Sequence, residues 1–168
     1  MIIFSMCIIP SVLLSHATLQ LNTLTKNIVG TIIFLFLGYI IQGFSEEVLF
    51  RGYLFLRLKQ INVPIAIILS SLAFGIVHCF NNYVSILAIM NVCLIGAIFA
   101  LITLLTNDIF LSSAIHSIWN FTQGHIFGVP ISGNKTSYSL FIYDMAGQKS
   151  LLTGGGFGIE ASIITTII

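Results

Sequence analysis

Phe44-Ser45-Glu46-Glu47-Val48-Leu49-Phe50-Arg51-Gly52 sets two carboxylates and a guanidinium within six residues of a chain that otherwise avoids charge. Only 7% of the 168 residues are Asp, Glu, Lys or Arg, and three of those eleven stand here. Apolar runs flank the stretch, Ile28 to Ile41 before it and Val48 to Leu58 after it. One ionised side chain at the centre of a membrane-spanning helix costs about 2.5–3.5 kcal/mol, so three simply summed would cost about 8–10 kcal/mol. The group therefore lies at the membrane edge, or it faces a protein-lined, wet cavity where the charges pair and act.

The rest of the composition fixes the solvent. The hydrophobic fraction is 57% and the mean hydropathy +1.08, above the apolar share of a soluble domain and with far less charge than such a domain carries. A sequence of this kind cannot cover a water-facing surface, so its solvent is lipid. A net charge of +1 excludes a nucleic-acid partner, which requires a clustered basic face. Cys7, Cys79 and Cys93 are widely spaced in apolar runs, form no CxxC pair and are expected to be small packing residues.

Outward from the charged stretch, the chain reads as one all-α integral-membrane domain over residues 1–168, a polytopic transmembrane helix bundle truncated at one or both ends. Met1 to Leu14 is apolar but short for a span and lacks the basic start and cleavage site of a signal peptide. Ser15 to Asn27 is polar and is expected to be a loop. Ile28 to Leu58 would make about 46 Å of helix, more than the hydrocarbon core, and so must tilt, break near Gly43 or run out to the interface. Pro64 opens a helix reaching about Phe80, after an Asn62-containing connection. Asn81 and Asn82 form a turn, Tyr83 to Leu105 is an uncharged span, Thr106-Asn107-Asp108 turns again, and Ile109 to Phe127 is the next helix. Residues 128–156, with Pro130, Gly133, Lys135, Lys149 and Gly154-Gly155-Gly156, show no strand pattern and read as a long loop. Residues 157–168 read as the start of a last helix. Lys26, Lys135 and Lys149 fall opposite Arg57 and Lys59, so the charge bias leaves orientation open.

Polar groups recur where helices should be buried. Glu47 and Arg51 are four apart and share a helix face, as do His116 and Asn120, and as do Phe74 and His78. Glu46 lies about 100° round from Glu47, so the two carboxylates are expected to aim at different neighbours. Each group alone has an ordinary reading: a His or Asn bridging two helices, a Glu–Arg pair neutralising itself, Gly52 and Gly75 admitting close helix contact. Together, across three apolar segments, they mark a functional site. His16 and His125 fit no shared stripe and are expected at the interface, with Asp108, Asp144 and Glu160 solvated in or beside loops.

The motifs Glu46-Glu47-x-x-x-Arg51, Phe74-x-x-x-His78 and His116-x-x-x-Asn120, in that order on separate apolar segments, resemble the CAAX protease and bacteriocin-processing family of intramembrane proteases, also called the abortive-infection family. The resemblance covers residues 28–127. It implies an intramembrane endopeptidase of a bacterial cell membrane, hydrolysing a peptide bond near the membrane surface through a Glu-activated water, on a peptide or lipidated-protein substrate. Carried over, Glu46 is the general base, Glu47 and Arg51 shape and neutralise the site, His78 holds the water or a metal, and His116 and Asn120 stabilise the oxyanion. Such hydrolysis needs an activated water and donors aimed at the developing negative oxygen. The family is described both as metal-free and as zinc-dependent, and Glu46, His78 and His116 would supply the three ligands of a catalytic zinc; the metal-free form is the one favoured here. A non-catalytic membrane immunity or interaction protein on the same scaffold is the alternative. Membrane lipid is the other partner expected, and oligomeric state is left open.

Overall fold

The structure, a computed structural model, describes residues 2–23, 25–145 and 150–168; Met1, Leu24 and 146–149, which include Lys149 of the expected loop, lie outside the described residues. α1 (Ile2–Ser15) is followed by a short strand β1 (Thr18–Leu21) and by α2 (Lys26–Glu47). α2 continues without a break into a π-wound stretch, Val48–Phe55, and a terminal turn α3 (Leu56–Lys59). Then come α4 (Val63–Val77), α5 (Ile86–Thr106) and α6 (Phe110–Phe121), the last prolonged by a π-wound turn at Thr122–Ile126. β2 (Phe141–Asp144), α7 (Ser150–Thr153) and α8 (Ile163–Ile167) complete the described chain.

Local chemistry accounts for the helix ends. Asn62 accepts a hydrogen bond from the Ile65 amide at the start of α4, with Pro64 in the first turn, and Ser85 accepts from Ala88 at the start of α5. α5 ends at Asn107, whose left-handed conformation returns its N–H to Thr103. Three helical stretches are long and apolar enough to cross a membrane: Ile28–Lys59, Val63–Phe80 and Ile86–Thr106. Only 11% of the most apolar window of the first is buried within the protein, and Ile33, Phe34, Leu37 and Ile41 stand outward. Outward apolar residues at this density require hydrocarbon as their solvent. The all-α membrane bundle is thus the architecture observed.

Packing brings α2 against α6 and α4 against α5. Gly43 does not break α2; it sets how closely α2 meets α6. A Cβ there would fall 2.4 Å from Ser117 Oγ and 2.9 Å from Ser117 N, so only glycine permits the approach. Gly75 serves α4 and α5 likewise, a Cβ meeting Cys93 Sγ, whereas Gly52 has only ordinary contacts around it. Phe50, Phe74, Ala88 and Val92 form the apolar centre between these helices, and Phe157 and Ala161 close it from the last segment.

Two expected loops are more ordered than their sequences indicate. Thr18–Leu21 and Phe141–Asp144 pair antiparallel, Thr18 opposite Asp144 and Leu21 opposite Phe141. Each strand is four residues long, too short for alternation to register, and the partners lie over 120 residues apart in the chain. α7 is a second ordered element within 128–156. The last apolar run opens with 3-10 turns, Gly155–Phe157 and Ile159–Ala161, and becomes α-helical only at Ile163, where Ser162 caps the Thr165 amide. The glycines there are required by the turn: Gly158 has φ +115°, and a Cβ on it would sit 2.1 Å from Pro130 O.

Candidate active site

The α2–α6 contact fixes the site. One turn beyond Gly43, Glu47 is fully buried, and its Oε1 accepts from Arg51 Nη1 at 2.9 Å and from His116 Nδ1 of α6 at 3.1 Å. Glu46, partly exposed, reaches the other side of the same ring, with Oε2 3.8 Å from His116 Nε2. The two carboxylates therefore do not aim at separate neighbours, as their angular offset predicts. The imidazole lies between them because α6 crosses α2 at the residue pair that straddles their faces.

Arg51 is wholly buried. Its Nη2 donates to Gly96 O of α5 at 2.9 Å, and its guanidinium carbon lies 4.4 Å from the Phe74 ring centroid and 5.4 Å from that of Phe99. A cation in lipid is tolerable here because one carboxylate, one carbonyl and two ring faces surround it. A Cβ at Gly96 would come 3.1 Å from Nη2, so the missing side chain makes room for the guanidinium. The Val48–Phe55 stretch carries Arg51, and its wider winding is a form found mostly at functional sites.

His116 is buried, stacked on Phe99 at 5.4 Å and met edge-on by Phe74 at 5.8 Å. His78, at the end of α4, places Nδ1 2.7 Å from the carbonyl of Phe74, one turn back. A carbonyl can only accept, so His78 Nδ1 carries the proton and Nε2 is left as an acceptor. The same reasoning at Glu47 puts a proton on His116 Nδ1 and turns its Nε2 toward Glu46.

Asn120, one turn after His116, donates through Nδ2 to Gln42 Oε1 at 3.1 Å, and Gln42 Nε2 in turn donates to Glu46 Oε1. Sequence reasoning missed Gln42, although it lies one turn before Glu46 on the same face of an otherwise apolar run. Among the described residues nothing hydrogen-bonds Glu46 Oε2, which is buried. Gln42, Glu46, His78, His116 and Asn120 all line one cavity of about 840 Å³. Its other walls are mainly apolar, among them Tyr39, Leu49, Ile95, Phe99 and Trp119.

Other expectations are corrected. Glu160 is buried rather than solvated: Gln123 Nε2 and the Ser132 amide donate to its Oε2, and Ser132 Oγ donates to Oε1. Desolvation pushes its carboxyl up to about 7. The residues that bury it come from 123–132 and fold back through turns that have no periodic signal. His125, expected at the interface, is also buried, its Nδ1 donating to Tyr138 O. Of the cysteines, Cys7 packs in the core beside Phe4 and Ile8, while Cys79 is exposed.

Zinc finds no ready place. Among the described residues, no three His, Cys, Asp or Glu side chains converge as a metal ion requires. Glu46, His78 and His116 as placed do not make the expected ligand set, and His116 already engages carboxylates at both ring nitrogens.

No curated protein and no solved structure matches the chain. A family model, that of the Rce1-like type II CAAX prenyl endopeptidases, matches residues 28–122. That range holds Glu46, Glu47, Arg51, His78, His116 and Asn120, and spans more than half of the chain. Three motifs meeting at one membrane-level cavity and a family model that covers them lead to one assignment: this chain belongs to the Rce1-like family of type II CAAX prenyl endopeptidases.

Proposed function

We propose that the protein is a metal-free intramembrane endopeptidase in which Glu46 activates the attacking water. The observation that carries this reading is Glu46 Oε2: buried, without a hydrogen-bond partner among the described residues, and 3.8 Å from His116 Nε2 at the cavity wall. An acceptor so placed is suited to take a proton from a water held between it and His78 Nε2. The water oxygen adds to the scissile carbonyl carbon as its proton passes to Glu46. The resulting oxyanion is met by the second N–H of Asn120 and by His116 Nε2 when that atom is protonated. As the C–N bond breaks, Glu46 returns the proton to the leaving amine. Glu47 and Arg51 act beneath the reacting atoms, holding His116 by Nδ1 and tying α2 to α5.

Substrate class follows from the cavity. Its apolar walls and its volume of about 840 Å³ suit a lipid chain lying beside the peptide to be cut, as the C-terminal tail of a prenylated protein would present. The decisive assay places the protein in bilayers with a prenylated CAAX peptide and its unprenylated counterpart, with cleavage followed by mass spectrometry. Wild type cleaves the prenylated peptide preferentially, and Glu46→Gln, folded to the same unfolding midpoint, loses about 10²–10⁴-fold in kcat. Full activity in Glu46→Gln would refute the assignment of the base.

A further inference from the structure

We infer that Gln42 is a positioning residue of the catalytic centre, joining the base to the oxyanion donor. The inference rests on the peptidase reading above and adds to it a residue outside the three motifs. A carboxylate only accepts, so the Gln42 amide group that faces Glu46 must be its NH2, and its carbonyl oxygen must therefore face Asn120. That orientation forces the Asn120 NH2 toward Gln42 in turn. One side chain thereby fixes the amide of Asn120 on α6 and occupies Oε1 of Glu46 on α2, leaving Oε2 as the oxygen beside His116 Nε2.

The placement is built rather than incidental. Gln42 is partly buried at the cavity wall, four residues before Glu46, and both of its polar atoms are used. Without it, Glu46 could present either oxygen and Asn120 could rotate its carbonyl toward the oxyanion. Ground-state binding of the substrate, by contrast, involves the apolar walls, which Gln42 does not hold in place. Its loss should therefore fall on kcat rather than KM.

Two substitutions test this in the bilayer assay. Gln42→Met keeps the side chain's length and removes both hydrogen bonds; it should lower kcat about 10- to 100-fold with KM changed less than about 3-fold. Gln42→Glu supplies an O–H donor and a carbonyl acceptor only while its new carboxyl is protonated. Its activity relative to wild type should therefore rise as pH falls from about 8 to 5. Glu47 and Arg51 on its own helix, His116 from α6 and His78 from the end of α4 surround the Glu46 carboxylate it faces; all are retained in both variants and divide out of that ratio. A packing role alone would give no such slope. If wild type cleaves and Glu46→Gln does not, yet Gln42→Met keeps kcat within about 2-fold or the Gln42→Glu ratio stays flat with pH, this inference falls and the protease reading stands. If wild type cleaves no peptide, both fall.

Discussion

Replacing Gly43 by alanine tests whether the α2–α6 spacing is what assembles the site. The new Cβ would lie 2.4 Å from Ser117 Oγ, 2.9 Å from Ser117 N and 3.1 Å from Ser117 Cα. The hydroxyl can rotate away, giving up its bond to Ser113 O at 2.8 Å, for roughly 1 kcal/mol. The backbone cannot rotate away. Restoring an ordinary contact of 3.4 Å to Ser117 N needs about 0.5 Å of separation between the helices, and overpacking of this kind costs about 1–3 kcal/mol. The same 0.5 Å, added to the 3.1 Å between Glu47 Oε1 and His116 Nδ1, carries that pair beyond hydrogen-bond reach. Gly43→Ala should therefore lose about 2–3 kcal/mol in reversible SDS unfolding from mixed micelles, together with most of its peptidase activity. Adding Ser117→Gly removes the hydroxyl conflict alone and should recover about 1 kcal/mol, with activity still low. A Gly43→Ala protein as stable and as active as wild type would show that helix spacing does not set the geometry.

Arg51→Ala leaves Glu47 buried without its partner and should destabilise by about 3–5 kcal/mol in the same unfolding assay. Arg51→Lys should recover little, since a single ammonium cannot serve both Glu47 Oε1 and Gly96 O in the fork geometry of the guanidinium. Glu160 binds its proton more tightly in the folded chain, near 7 against an ordinary 4.5, so its contribution is fully favourable below about pH 4.5 and is lost as pH rises to about 7. The change amounts to about 3 kcal/mol, and the slope should vanish in Glu160→Gln when unfolding is followed from pH 4 to 8. Strong chelators should leave peptide cleavage unchanged after prolonged incubation and buffer exchange; activity lost to the chelator and restored by zinc would overturn the metal-free mechanism.

Much of this structure is legible in the sequence where a single periodicity governs. Ile28–Lys59, Val63–Phe80 and Ile86–Thr106 announce themselves through apolar length, and their caps through Asn62, Pro64 and Ser85. The six motif residues are legible because a charged or imidazole side chain is conspicuous in so apolar a chain. Gln42 is not, being uncharged and one turn outside the motif, although its i, i+4 relation to Glu46 was there to be read. The pairing of Thr18–Leu21 with Phe141–Asp144 depends on contact across nearly the whole chain, which no local window contains. Glu160 and His125 were misplaced for a related reason. Their enclosure comes from the 123–139 backbone folding over them, and polarity near a loop reads as exposure until that return is seen.

The π-wound segment that bears Arg51 imposes a constraint on length rather than on chemistry. Loss of one residue between Val48 and Phe55 would rewind the segment toward ordinary α geometry and turn everything after it by about 100°. Phe55, which seals against Ala66 and Ala100, would then swing toward lipid, and the link into α4 would start from the wrong side. Substitutions can be absorbed along this stretch, but a deletion has no neutral position in it.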